Sequence, residues 1–181
     1  MTLREGIWWK DEKPAAFSPE QEDILSECFS VIFPTLLRMT GNRETALDLT
    51  QESFLRAWEK MDEFKGRSSF STWLYRIAVN LTLNHLRRAK KIIYTEVDPA
   101  VIAERLPDDM AEERFEMASI RESVLALSPN LRACIVLHYF ESKPVHEIAD
   151  ILGIPRGTAA WRLHMARKKL KKELMNRGIR P

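Results

Sequence analysis

The sequence predicts an all-α protein: two small helical domains joined by an acidic linker, the C-terminal one a helix-turn-helix. Three observations lead there. Apolar residues recur three and four apart in the long patterned segments, which is the period of a helix face and not of a strand. From Glu96 to Glu116 eight acidic residues stand against Arg105 and Arg114 alone, and Pro99 and Pro107 interrupt any long helix, so a spacer divides the chain. Beyond it, Ile148, Ala149, Leu152, Gly153 and Ile154 have the spacing of two helices that cross at a small residue and join through a left-handed glycine.

Taken in order, residues 1–17 form a polar, turn-rich tail in which Ile7, Trp8 and Trp9 either pack on the first domain or dock a partner. Ser18, Pro19 and Gln21 then supply a cap, a first-turn proline and a capping-box amide. Ile24, Leu25, Cys28, Phe29, Ile32, Phe33, Leu36 and Leu37 follow at helical spacing, with Pro34 placed to kink or divide the helix. Gly41 and Asn42 end it. The next helix carries Ala46, Leu47, Leu49, Phe54, Leu55, Ala57 and Trp58 on its apolar side. Its other side is acidic (Glu44, Asp48, Glu52, Glu59, Asp62, Glu63), which suits solvent or a protein partner and disfavours DNA.

The following segment reverses the charge. From Lys65 to Lys91 there are seven Lys or Arg and no acid, in a chain of formal charge +2. Gly66, Ser68 and Ser69 mark a loop, and either serine is able to cap a helix starting near Phe70. On that helix Leu74, Ile77, Ala78 and Leu81 share one face, and Val79, Leu83 and Leu86 a second. What remains is a stripe of Trp73, Arg76, Asn80, Asn84 and Arg87. Guanidinium groups neutralise phosphates, an aromatic plane stacks on an unpaired base, and amides bond base edges. A solvated basic face, with Trp73 half-buried against the loop, fits the same pattern.

In the second domain Ser128 and Pro129 begin a helix through Leu131, Cys134, Ile135 and Leu137 to Phe140, which ends before Lys143 and Pro144. A short helix from Val145 to Leu152, the Gly153 turn and a long helix from about Pro155 to Met175 complete it. From Arg156 to Arg180 nine Lys or Arg face Glu173 alone, the charge of a recognition helix lying in a major groove.

Several functions are disfavoured. No apolar run approaches the ~20 residues of a membrane span. The N-terminal MTLREGIWWKDEKPAAF lacks the apolar core of a signal peptide, so a reducing cytoplasmic setting is expected. Cys28 and Cys134 lie far apart in apolar helical patterns and read as free buried thiols. His138, His146, Glu147 and His164 do not form a metal motif, and no acid, base and nucleophile converge. Neither a metal, a cofactor nor a catalytic residue is expected.

Two blocks carry a resemblance. LTQESFLRAWEKMDEFKGRSSFSTWLYRIAVNLTLNHLRR resembles region 2 of an extracytoplasmic-function (ECF) sigma factor, one of the small bacterial transcription initiation factors of the sigma-70 family. LSPNLRACIVLHYFESKPVHEIADILGIPRGTAAWRLHMARKKLKKEL resembles region 4, and the blocks stand in the family's order and spacing. The resemblance implies a region 2 over 18–93, an acidic linker over 94–117 that threads the polymerase cleft and RNA exit channel, a region 4 over 118–177, and a tail at 178–181.

It also implies partners and sites. Core RNA polymerase would dock through Asp48, Leu49, Gln51, Glu52 and Leu55. Promoter DNA, both duplex and melted non-template strand, would meet Lys65, Arg67, Ser68, Ser69, Phe70, Trp73, Arg76, Asn80, Asn84, Arg87 and Arg88 at the minus-ten element, with the loop Lys65 to Thr72 capturing a flipped base. Arg156, Gly157, Thr158, Ala160, Trp161, Arg162, His164, Arg167 and Lys168 would meet the minus-thirty-five element. An anti-sigma factor or another regulatory protein is a further implied partner. One departure stands out: where most relatives read GTVKSRL this chain reads GTAAWRL, so Ala159, Ala160 and Trp161 weaken the expectation of sequence-specific reading. The rival readings are a helix-turn-helix regulator that works without being a polymerase subunit, a region 4 turned toward a protein, and a metal-dependent hydrolase.

Overall fold

A computed structural model of the chain describes residues 19–89 and 111–179, with the side chains of 28–89 and 117–179. The expectations for Trp8 and Trp9, for the Ser18 cap and for the linker as far as Met110 lie outside the described residues. Those described are helical or turn, without a strand. The N-terminal half holds α1 (Pro19–Thr40), α2 (Arg43–Glu59), a single 3-10 turn (Met61–Glu63) and α3 (Phe70–Ala89). The C-terminal half holds α4 (Ala111–Leu125), α5 (Pro129–Ile135), a π-helical turn (Val136–Phe140), α6 (Val145–Leu152) and α7 (Arg156–Asn176).

Pro34 does not divide α1, which runs unbroken through it. Its missing N–H costs one backbone bond, and Ile32, Leu36 and Met39 on either side of it are buried. Gly41 ends α1 at φ +73, a left-handed value, with its N–H donating to Leu37 O at 2.8 Å. A side chain there would also meet Leu125, whose Cδ1 lies 2.8 Å from the place of a Cβ. Asn42 caps α2, its Oδ1 accepting from the Thr45 N–H at 2.8 Å.

Around that corner Leu36 and Met39 pack with Ala46, Leu49, Leu74, Ala78 and Val79 as the N-terminal core. In the C-terminal half Cys134, Ile135 and Leu137 pack with Ile148, Ile151, Leu163 and Ala166. Burial pushes the Cys134 thiol up to about 11, so it stays neutral as a small apolar core residue. Gly153 is left-handed at φ +63 and Ala149 is buried, the turn and crossing that the spacing predicts.

The helix read through Phe140 closes differently. After Ile135 the chain widens into the π-helical turn, which leaves Tyr139 and Phe140 exposed and brings Glu141 back against the N-terminal half. The halves pack through α3 on α6 and through α1 on α4 and α5. Two arginines of the C-terminal half donate to the carbonyls that end α1: Arg132 to Met39 O, and Arg121 to Gly41 O at 3.3 Å. Arg132 is buried and also donates to Leu125 O and Leu127 O, which ties the α4–α5 connection to the same point.

Candidate nucleic-acid interface

The loop before α3 is clamped at its base. Phe64 and Phe70 meet edge to face at 5.8 Å, and Trp73 packs on both, at 5.2 and 5.6 Å. This aromatic knot fixes the two ends of the loop, so Lys65, Arg67 and Ser68 project into solvent from a held base. Gly66, at φ +65, makes the reversal. Of the two candidate caps the structure uses Ser69, whose Oγ accepts from the Thr72 N–H at 3.2 Å. Trp73 serves both places: its ring is half-buried in the knot and also lines a cleft.

That cleft, about 590 Å³, has Arg67, Trp73 and Arg76 on one wall and Asp150, Gly153 and Pro155 on the other. The two expected buried faces of α3 are in place, with Leu74, Ala78, Val79, Leu81 and Leu83 buried. Along the stripe Arg76, Asn84, Arg87 and Arg88 are exposed, and Arg87 Nη1 donates to Asn84 Oδ1 at 3.0 Å. Asn80 is different: its amide donates to Arg76 O at 2.8 Å and across to Ile151 O of α6 at 3.2 Å.

On α7 the buried stripe is Ala159, Leu163 and Ala166. The opposite surface carries Arg156, Gly157, Ala160, Trp161, His164, Arg167 and Lys168, all exposed, while Thr158 and Arg162 are partly covered. Trp161 is 60% exposed with no ring contact described. Arg167 folds back on the π-helical turn, where Nε donates to Tyr139 Oη at 2.9 Å and Nη2 lies 3.1 Å from His138 Nε2. His138 Nδ1 sits 3.0 Å from the Lys143 carbonyl, so it carries the proton and Nε2 accepts from Arg167.

Asp48, Gln51, Glu52 and Leu55 share one outer face of α2, and Leu55 is 65% exposed. Glu52 accepts from Arg56 at 2.6 Å. Leu49 instead faces the core at 4% exposure and is not part of that outer face. Among the described residues no three His, Cys, Asp or Glu gather to hold a metal ion, and no helix is long and apolar enough to cross a membrane.

Sequence reasoning missed the polar contacts between the halves. Glu141 accepts from Tyr75 Oη at 2.8 Å and pairs with Arg38 at 3.4 Å, and desolvation followed by the Glu141 bond pushes the Tyr75 hydroxyl well above its ordinary range. One signal was present: Glu141 is the sole acid between Ser123 and His146.

Known proteins fall in with this geometry. The sigma-70 region 2 family matches residues 30–92 and sigma-70 region 4 matches 117–170. The ECF RNA polymerase sigma factor SigW of Bacillus subtilis strain 168 is 36% identical over 84% of this chain and 87% of its own. The RNA polymerase sigma factor YlaC of the same organism is 32% identical over 84% of this chain and 91% of its own. Among solved structures, the Bartonella quintana sigma factor RpoE, in complex with the anti-sigma factor NepR, superposes with a TM-score of 0.68 at 22% identity, covering 87% of this chain and 98% of that one. CnrH in complex with the cytosolic domain of CnrY gives 0.64 at 22% identity, over 88% and 90%. Two small helical domains, a clamped basic loop ahead of a basic stripe and a cationic helix-turn-helix thus match sigma-70 regions 2 and 4, and the chain belongs to the ECF sigma factors, non-enzymatic initiation factors that bind core RNA polymerase and direct it to promoters.

Proposed function

We propose a division of labour among three surfaces. The outer face of α2, through Asp48, Gln51, Glu52 and Leu55, docks on core polymerase. The loop from Lys65 to Thr72, with Trp73, Arg76, Asn84, Arg87 and Arg88, captures and melts the minus-ten element. The exposed face of α7 contacts the minus-thirty-five element, with little base reading, because Ala160 has no donor and Trp161 offers mainly area. The domains run over 18–93 and 118–177 with the acidic linker 94–117 between them inside the polymerase, and the protein works in the cytoplasm.

The observation that carries this reading is the pinned loop: an aromatic knot holds three exposed polar side chains beside the Trp73 ring and the Arg76 guanidinium. A stacking plane next to phosphate-binding groups suits an unpaired strand better than a duplex. One of the similar structures is of a sigma factor in complex with an anti-sigma factor, which supports a regulator of that class as a further partner.

The test pairs two variants in reconstituted transcription. Asp48→Ala with Gln51→Ala should weaken capture by core polymerase while the DNA stripe stays whole. Trp73→Ala should bind polymerase normally yet leave promoter thymines unreactive to permanganate, and a premelted template should rescue it. Equal loss of polymerase binding in both folded variants would sink the division. A helix-turn-helix regulator independent of polymerase would instead bind duplex DNA tightly alone.

A further inference from the structure

We propose that His138 and Tyr139 form, with Arg167, a built clamp for a phosphate of the duplex backbone, in which the two rings fix the pose of the arginine and Tyr139 adds a second donor. The inference rests on the reading of α7 as the minus-thirty-five surface, and it adds to that surface two residues from outside α7.

A contrast with other arginines carries it. Arg38, Arg56 and Arg177 each give their guanidinium to a carboxylate, which cancels the charge where it stands. Arg167 is held at two points by neutral acceptors. Its Nε donates to Tyr139 Oη at 2.9 Å, its Nη2 to His138 Nε2 at 3.1 Å, and its guanidinium carbon lies 5.6 Å from the centre of the Tyr139 ring. Among the described residues no acid pairs with it, and it is exposed, so its full charge stays available. Nη1 and the second hydrogen of Nη2 remain open, and together they form the end of the fork that fits two phosphate oxygens. Lys168 and Lys169, next to it in the chain, are exposed with no bonded partner described.

The holders are themselves held. Ser142 has φ +51, a left-handed value for a residue with a Cβ, and Lys143 after it bonds twice to the π-helical turn. The Lys143 N–H donates to Leu137 O at 2.8 Å, and its carbonyl accepts from His138 Nδ1 at 3.0 Å. That second bond leaves the imidazole lone pair on Nε2, toward Arg167. The Lys143 ammonium is turned elsewhere, to Glu147 at 3.2 Å. His138 and Tyr139 meet edge to face at 4.9 Å, so each ring limits the other. Having accepted from Arg167, the Tyr139 hydroxyl keeps its own hydrogen, and with the residue 57% exposed it is placed to donate to a phosphate oxygen beside the arginine.

The experiment uses the full chain, a fluorescein-labelled duplex of mixed sequence and anisotropy across a salt series, with circular dichroism checking helix content. Fixing one long side chain beforehand is worth about a two- to tenfold gain in affinity. His138→Ala and Tyr139→Phe should therefore weaken duplex binding by about that factor without changing the salt slope, because neither removes a charge. His138→Gln, whose side-chain oxygen accepts a bond, should restore most of the loss. Arg167→Ala should weaken binding further and lower the slope by about one. In the Arg167→Ala background, His138→Ala should cost nothing more. The side-chain Nε–H resonance of Arg167 should be protected from solvent exchange in the parent chain and lose that protection in Tyr139→Phe. Unchanged or tighter binding in folded His138→Ala and Tyr139→Phe, with Arg167→Ala still weaker, would overturn the clamp and leave the minus-thirty-five reading of α7 standing. A full His138→Ala loss in the Arg167→Ala background would overturn it as well, since His138 would then act without the arginine. If neither Arg167→Ala nor Lys168→Ala alters affinity or slope, the reading of α7 is what failed, and the clamp falls with it.

Discussion

The helices α3 and α7 are of nearly equal length and both basic, with three arginines and no acid on α3 and seven Lys or Arg against Glu173 on α7, yet they are built on opposite plans. α3 buries eight residues, from Thr72 to Leu83, on more than one side, and on its remaining strip Asn80 bonds to α6 while Arg76, Asn84, Arg87 and Arg88 are exposed. α7 fully buries three, Ala159, Leu163 and Ala166, with Met165 and Leu170 packed partly beside them, and leaves its opposite surface exposed. The first is a core helix with a functional edge; the second is a rod clamped along one seam. A basic surface therefore predicts different consequences of mutation on the two, because on α3 a change also touches the packed core, whereas on α7 it touches mainly the field.

The largest expected difference lies in stability. Leu74→Ala should lower the unfolding free energy by about 2–5 kcal/mol, since it empties a fully packed site, whereas Trp161→Ala should stay within about 0.5 kcal/mol, both measured by denaturant titration. A comparable loss from Trp161 would show that the rod is packed after all. Next come the left-handed glycines. Gly153→Ala meets open space apart from the Arg76 guanidinium, so strain alone should cost about 1–2 kcal/mol, and Gly41→Ala should cost more because its Cβ runs into Leu125.

Of comparable size is the binding effect of Trp73→Ala. Losing one stacking plane should weaken minus-ten strand binding by about 1–3 kcal/mol per base, read by anisotropy on polymerase complexes. Because the ring also packs on Phe64 and Phe70, a thermal melt of the same sample separates misfolding from lost stacking. The smallest effect belongs to the rod: Lys168→Ala should reduce the salt slope of duplex binding by about one and weaken all sequences alike. A sequence-selective loss would mean that α7 reads bases despite Ala160 and Trp161.

Much of this plan was legible in the sequence wherever the cause is local. The Gly153 turn, the buried Ala149, the cap before α3 and the two buried faces of α3 follow from side-chain period, steric freedom at glycine and orphan N–H groups, all set within a few residues. Of the two outcomes expected at Pro34, division of the helix does not occur, because the helix continues through one missing backbone bond with Leu36 and Met39 packed behind it. Leu49 was read by resemblance as a docking residue although its period places it inward, at 4% exposure. The π-helical turn and the engagement of Asn80 were not legible. Each depends on partners at least 66 residues away in the chain for Tyr75 and Glu141 and 71 for Asn80 and Ile151, and no periodicity records such a meeting.

The arginines that close the end of α1 bear on the timing of synthesis. Arg132 follows Met39 by 93 residues, and Arg121 follows Gly41 by 80. At ribosomal rates of ~5–20 residues per second, the last carbonyls of α1 wait on the order of 5–20 s for their guanidinium partners. Through that interval water takes the place of the guanidinium groups, so whatever part of the N-terminal half folds first does so with a hydrated end to α1, and the arrival of Arg121 and Arg132 dries it.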